Sequence, residues 1–277
     1  MIVNADSAQI YRDLRVLSAA PTDEDLRRAE HRLYGVRNGA LPCSAAEWAV
    51  LARREIDDIH ASGRTPILVG GTGLYLRTLI EGIAPVPAID ADIRSRVREA
   101  PGEENRAKLE MLDPASAARL NRGDTTRINR ALEVILSTGR TLAEWQKARS
   151  GGIADVVEIK PVIMLPPRKW LYARCDERFV RMIDSGAVAE VEALLARKLN
   201  PNVPAMRAIG VPELVAYLRG ESTLDEAIAA GQQATRRYAK RQYTWFAHQP
   251  PAAWARFRQA LDLDTLPDAL ALVGPNR

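Results

Sequence analysis

Two short polar segments carry the first chemistry that this sequence offers. Asp6, Ser7, Ala8 and Gln9 follow the apolar start Ile2-Val3, and Gly70-Gly71-Thr72-Gly73 follows the apolar run at 65–69. In open α/β sheets, ligands bind beyond the carboxyl ends of the strands. An aspartate there can act as a general base or hold a metal. A helix N-cap or a plain loop carboxylate is the other reading of Asp6. Three glycines allow close approach of backbone to ligand and free N–H groups to face an anion, and Thr72 adds a hydroxyl. A simple strand-to-helix turn reads from the same residues. Adjacent parallel strands would bring Asp6 and Thr72 together.

Arginines supply the second chemistry. Arg127 and Arg130 share a helical face, and Arg174, Arg178 and Arg181 recur at spacings of four and three. Guanidinium forks suit phosphate and diphosphate bidentately, although such runs also form solvated faces. The stretch at 235–246 interleaves Arg236, Arg237, Lys240 and Arg241 with Tyr238, Tyr243, Trp245 and Phe246. That mixture suits an RNA backbone, and it equally suits packing plus surface.

The elements that would position these groups follow from periodicity. A strand opens at Ile2. Residues 44–59 read as a helix with Ser44 as N-cap, Glu47 at the capping-box position, and Trp48, Leu51, Ile56 and Ile59 as its apolar stripe. Residues 65–69 read as the next strand, so strand, helix and strand form a βαβ unit in a parallel sheet. A short helix is expected at 74–81. Residues 91–122 are charged and helical in pattern, and helices are expected at 126–137 and 142–148. Residues 156–165 read as a third strand with Pro161 at an edge or bulge. Helices dominate from Lys169 to about Phe246.

Composition excludes several classes. The 277 residues suffice for one large domain or a core with a second lobe. With 47% apolar and 27% charged residues the chain is no disordered polymer. No apolar run reaches membrane-spanning length, and no basic segment followed by an apolar one marks a secretory signal. Cys43 and Cys175 cannot make a disulfide framework, and His31, His60 and His248 show no ligand spacing. A reduced, cytoplasmic protein is expected. A net charge of +4 permits an anionic partner without requiring one.

DSAQIY at 6–11, GRTPILVGGTGLY at 63–75, LDPASAARLN at 112–121, TRINRALEV at 126–134, Glu177-Arg178-Phe179 with Met182, MRAIG at 206–210 and ATRRYAKRQYTWF at 234–246 occur in that order. Together they resemble the tRNA dimethylallyltransferase family over nearly the whole chain. The resemblance implies transfer of a dimethylallyl group from dimethylallyl diphosphate to N6 of adenine 37 in tRNA, with diphosphate released and Mg²⁺ assisting. It implies a cytoplasmic monomer with no membrane partner. The fold it implies is α/β: a nucleotide-binding, P-loop-NTPase-like parallel sheet core over 1–82 and 123–277, with a helical C-terminal part. A helical insertion over 83–122 would contact the anticodon stem-loop, with 168–215 as a further candidate for the helical lobe.

By position, Asp6 resembles the family's general base, Thr72 a hydroxyl beside the reacting centre, and Arg178 an arginine on the diphosphate. Gly70 and Gly71 would join Thr72 and Arg178 there. Asp6, Ser7, Ala8, Gln9 and Thr72 would hold the target base. Arg94, Thr126, Arg127, Ile128, Asn129 and Arg130 match tRNA contacts, as do Arg207, Ala208, Ile209, Gly210, Val211 and Pro212. The adenine would have to leave its stack to reach the crevice.

Three departures stand out. The chain contains no G-x-x-x-x-G-K-[ST], so the expected phosphate-cradling loop, and with it a first strand and helix, is missing from it. VLSAAP at 16–21 replaces an IGTAKP-like segment. Val211-Pro212 after Gly210 removes a backbone N–H. A tRNA-binding remnant without catalysis and a small-molecule phosphotransferase are therefore the competing readings. The missing loop counts most against the phosphotransferase.

Overall fold

The computed structural model describes residues 1–274. It divides into two compact units. One comprises Met1–Arg77 together with the chain from Val156 onward, and the other is Thr78–Asp155.

The first unit is built on a small parallel sheet. Strand β1 (Ile2–Asn4) is followed by helix α1 (Asp23–Arg28), strand β2 (His31–Arg32), helix α2 (Ala45–Ala61) and strand β3 (Ile67–Val69). The sheet order is β2-β1-β3, with β1 parallel to both neighbours. Ile2 stands opposite Ile67 and Asn4 opposite Val69, so the ends of β1 and β3 lie side by side. The expected βαβ unit is thus present. Ser44 and Glu47 close the capping box of α2, as their spacing requires. Trp48, Ala52, Ile56 and Ile59 face the core, whereas Leu51 is only half-buried.

Helix α3 (Gly73–Glu81) leaves the glycine-rich segment, and the division between the units falls within it. Helices α4 (Ala91–Glu99), α5 (Gly102–Leu112), α6 (Pro114–Arg119), α7 (Thr125–Thr138) and α8 (Leu142–Lys147) form the second unit. Its core joins Leu109 of α5 and Ala117 of α6 to Ile128 and Ala131 of α7. The helical part is therefore longer than the 83–122 expected from sequence. The apolar face of α7 closes this small core, so residues 123–155 belong with it rather than with the sheet.

Strand β4 (Val162–Met164) begins just after Pro161 and is shorter than the 156–165 expected. It pairs in parallel with β5 (Ala255–Phe257), a strand that the periodicity does not announce. Between them run α9 (Arg168–Asp184), α10 (Ala187–Ala196), a 3₁₀ turn (Pro204–Arg207), α11 (Val211–Leu218) and the 25-residue α12 (Leu224–His248). Helix α13 (Leu266–Ala271) closes the described chain. Residues 168–215 thus lie in the unit that carries the sheet. Helices α9 and α12 share the most extensive helix–helix contact. Gly231 of α12 admits the Phe179 ring there, where any Cβ would overlap it. No helix of the described residues is long and apolar enough to cross a membrane.

Candidate active site

Asp6 sits just beyond the carboxyl end of β1. Its Oδ1 accepts a hydrogen bond from Ala8 N at 2.8 Å, so residues 6–8 form a tight Asx turn. Ser7 N donates to Thr72 Oγ1 at 2.9 Å, and Thr72 Oγ1 donates to Ser7 Oγ at 3.2 Å. The two polar segments therefore meet, as adjacent parallel strands require. The Thr72 hydroxyl is occupied in holding Ser7, which differs from the expectation of a hydroxyl offered to diphosphate.

Of the glycines, Gly71 lines the cleft over Asp6, and all are constrained by close packing. Thr72 N donates to Ala5 O at 3.2 Å, so this N–H is turned to β1 and not to an anion. Any Cβ on Gly70 would overlap the Ala5 carbonyl, one on Gly71 the Gln242 amide, and one on Gly73 the Trp245 ring. These glycines serve close packing between β3, β1 and α12. Gln242 Nε2 donates to Gly71 O at 2.9 Å and fixes α12 to the glycine segment.

A cleft of about 730 Å³ opens over Asp6, within the size range of small-molecule sites. Asp6 is the one carboxylate in its wall among the described residues, and it faces Arg174, Arg178, Arg181, Arg207 and Arg241. The three arginines spaced along α9 thus line one open cleft while remaining exposed. Arg236 is held apart by an ion pair with Asp176. The guanidinium of Arg241 lies over the Tyr238 ring, 5.4 Å from its centroid.

Tyrosines complete the wall. Burial raises the phenol pKa of Tyr75 and of Tyr238, and the nearby Asp6 charge adds to both shifts. Thr72 and Gln242 oppose the rise at Tyr238 through hydrogen bonding. Tyr34 is raised by burial and by Asp6 in the same way. These phenols stay neutral at physiological pH. Tyr75 stacks on Trp48 with 4.6 Å between ring centroids, and its hydroxyl donates to Cys43 O at 3.2 Å.

Ser7, Ala8 and Gln9 line the cleft with Asp6, and Gln9 Nε2 donates to Ser18 O and Ala19 O. Arg207, Ala208 and Ile209 line it from the turn after α10. Gly210 and Val211 are buried, so their side of that segment serves packing. Pro212 is the second residue of α11, where a backbone N–H has no intrahelical acceptor, so proline fits without loss. The VLSAAP segment is held by Glu190, which accepts from Val16 N at 2.7 Å and Leu17 N at 2.9 Å.

In the helical unit Arg94, Thr126 and Arg127 are exposed, and Asn129 and Arg130 are half-buried. Ile128 is fully buried in that unit's core, so it cannot present a side chain to RNA. Asn129 Oδ1 accepts from Asn105 at 3.0 Å, and Arg130 pairs with the buried Glu133 at 3.9 Å.

The sequence reading passed over Asn4, Tyr75 and Gln242, and singled out Tyr238 only among the aromatics of 235–246. Tyr75, Tyr238 and Gln242 lie in motifs quoted above, yet their types alone fit core packing equally well. The donor set for a metal is small. Among the described residues no three His, Cys, Asp or Glu side chains converge, and the cleft offers one carboxylate with the Ser7 hydroxyl beside it. Mg²⁺ commonly keeps waters and binds through one or two carboxylates plus substrate phosphates. The residues present fit such an ion when it arrives with a diphosphate.

A parallel sheet whose strand ends carry a lone carboxylate, under a cleft rich in arginine, defines an α/β protein that handles an anionic substrate. Comparisons make the class specific. The IPP transferase family model matches residues 9–249, and the chain belongs to that family. It is 58% identical over 271 residues to the tRNA dimethylallyltransferase of Sphingopyxis alaskensis, covering 98% of this chain and 88% of that one. It is 60% identical over 256 residues to that of Erythrobacter litoralis, covering 92% and 81%. Among solved structures, the tRNA isopentenylpyrophosphate transferase of Bacillus halodurans matches with a TM-score of 0.68 at 30% identity, over 98% of this chain and 85% of that one.

Proposed function

We propose that this chain transfers a dimethylallyl group from dimethylallyl diphosphate to N6 of adenine 37 in tRNA. Relatives about 60% identical carry the transferase name, which favours this reading over an RNA-binding remnant or a small-molecule kinase. One observation supports the chemistry most: Asp6 is the single carboxylate in the wall of a cleft that also carries five arginines and an apolar lining from Leu17, Leu171, Phe179 and Met182.

The reaction uses this asymmetry. The adenine N6 lone pair attacks the allylic carbon, the carbon–oxygen bond to diphosphate breaks, and N6 loses a proton. Asp6 accepts that proton, because a neutral exocyclic amine needs a positioned base. Arg178 faces the departing diphosphate, with Arg174 beside it along α9, and balances the charge that grows on oxygen. Mg²⁺ bound with the diphosphate would share that task, with the Ser7 hydroxyl as the chain's own candidate donor and Asp6 left free to take the proton.

Residues 6–9 hold the flipped base, Gly71 and Thr72 fix their loop from behind, and Arg207, Ala208 and Ile209 guide the RNA. Arg94, Arg127 and Arg130 offer phosphate contacts from the helical unit. Action as a monomer in the cytoplasm goes with this reading.

The test incubates the purified chain with tRNA bearing adenine 37, dimethylallyl diphosphate and Mg²⁺, followed by mass spectrometry of the nucleosides. Dimethylallyl adenosine at that position is expected. Bound but unmodified tRNA would overturn the reading.

A further inference from the structure

We propose that Asn4 is a positioning residue for the transfer, holding the Asp6 carboxylate on line by fixing the main chain around it. The inference rests on the reading of Asp6 as the proton acceptor.

Asn4 is the last residue of β1 and is fully buried. A buried amide is tolerated only when its polar atoms are paired. Here every partner is main chain. Oδ1 accepts from Asp6 N at 2.7 Å, and Nδ2 donates to Asp6 O and to Leu33 O, each at 3.0 Å. The Asn4 carbonyl in turn accepts from Trp48 Nε1 at 3.0 Å. Ala5 N still pairs with Val69 O, so the chain leaves the sheet directly after Ala5.

Packing alone would be met by a leucine of the same shape. What Asn4 adds is a side chain that takes both the N–H and the carbonyl of Asp6, which a continuing strand would have given to a neighbour. The residue 6–8 turn can then form, and the Asp6 carboxylate is carried into the cleft. The third bond reaches Leu33, a non-glycine residue at φ 63°. Left-handed backbone is unfavourable for leucine and persists only where the surroundings hold it. Asn4 thus links the segment after β2 to the turn that bears the carboxylate.

Single-turnover rates, tRNA affinity and melting temperature would be measured for Asn4→Leu, Asn4→Ser, Asp6→Asn and the Asn4→Leu/Asp6→Asn double variant. A misplacement near 1 Å can cost about 100-fold in rate, so Asn4→Leu is expected to lose rate on that scale while tRNA affinity stays within a few-fold. Asn4→Ser keeps one donor and one acceptor and should recover part of the rate. If Asn4 acts through Asp6, the double variant is no slower than Asp6→Asn alone. Should Asn4→Leu not fold, Asn4→Ser against Asp6→Asn provides the same comparison. Near-normal rates in the Asn4 variants, losses that multiply in the double variant, or affinity falling in step with rate would each overturn the inference. Near-full turnover by Asp6→Asn would remove the base itself. An inactive Asp6→Asn beside a fast Asn4→Leu would remove only the role of Asn4.

Discussion

The contact between α9 and α12 offers a perturbation whose sign can be worked out. Gly231 lies inside α12, and the buried Phe179 ring rests against it. In Gly231→Ala the new methyl would stand 2.5 Å from Cε1 and 2.6 Å from Cε2 of that ring. The ring cannot retreat freely, because it is fully buried and Gly210 also lies against it, where a Cβ would be 3.3 Å from Cε2. Helix propensity favours alanine over glycine by about 1 kcal/mol. Overpacking a buried site costs about 1–3 kcal/mol, and overlap with several ring atoms points to the upper end. The net loss is then about 1–2 kcal/mol, or roughly 2–8 °C in melting temperature for a chain of this size. Arg178 precedes Phe179, so a displaced ring should also raise KM for the diphosphate substrate. Calorimetry checks the first effect and steady-state kinetics the second. Adding Phe179→Leu should relieve the overlap and restore part of the loss. A Gly231→Ala protein as stable as the parent would refute the packing argument.

Other outcomes follow from the same geometry. Asp6→Asn should lower kcat by about 10²–10⁴-fold, the usual scale for a lost general base, with tRNA affinity near that of the parent; full turnover would remove Asp6 from the chemistry. Arg127→Ala should weaken tRNA binding and reduce the slope of log K against log[salt] by about 0.7–0.9; an unchanged slope would take Arg127 out of the RNA contact. The capping carboxylates predict acid behaviour. Asp25 is held below the ordinary carboxyl range by the Thr22 hydroxyl and N–H, and Glu47, Glu144 and Glu226 by the N–H and hydroxyl of Ser44, Thr141 and Thr223. As pH falls, the unfolded chain takes up these protons first, so the contribution is complete above the unfolded values, about 4. It disappears as pH drops through the lower folded values. Melting temperature should fall across this window, and less steeply in Glu47→Gln/Glu226→Gln; parallel acid profiles for parent and variant would contradict it.

Local signals made the βαβ unit and most of the helices legible. Ser44 and Glu47 marked the start of α2, and the Thr138-Gly139 turn marked the end of α7, where Gly139 takes the left-handed C-cap at φ 68°. What failed depended on contacts distant in the chain. Strand β5 has three residues and exists because β4 pairs with it, so no periodicity could show it. Residues 123–155 joined the helical unit because Ile128 and Ala131 pack on Leu109 and Ala117. The pairing of Asp6 with the glycine segment was readable, since it needs only parallel neighbours. The gathering of five arginines in the same cleft as that carboxylate was not, because it needs the fold of α9 against α12.

The glycine-rich segment shows how the same residues answer to two demands, close packing at Gly70 and Gly73 and a place in the cleft wall at Gly71. Glycines at strand ends suggest a cradle for an anion, because backbone N–H groups are then exposed. Here each space they leave is filled by protein. Ala5 stands against Gly70, Gln242 against Gly71 and Trp245 against Gly73. The consequence is mechanical. With these approaches closed, Thr72 Oγ1 comes within hydrogen-bonding distance of Ser7, and the residue 6–8 turn is clamped from the β3 side while Asn4 clamps it from below. Positive charge for an anion must then come from side chains, and the cleft wall supplies it as guanidinium groups. On the proposed reading the segment orients the carboxylate, and the arginines of the cleft are the groups to receive the phosphate.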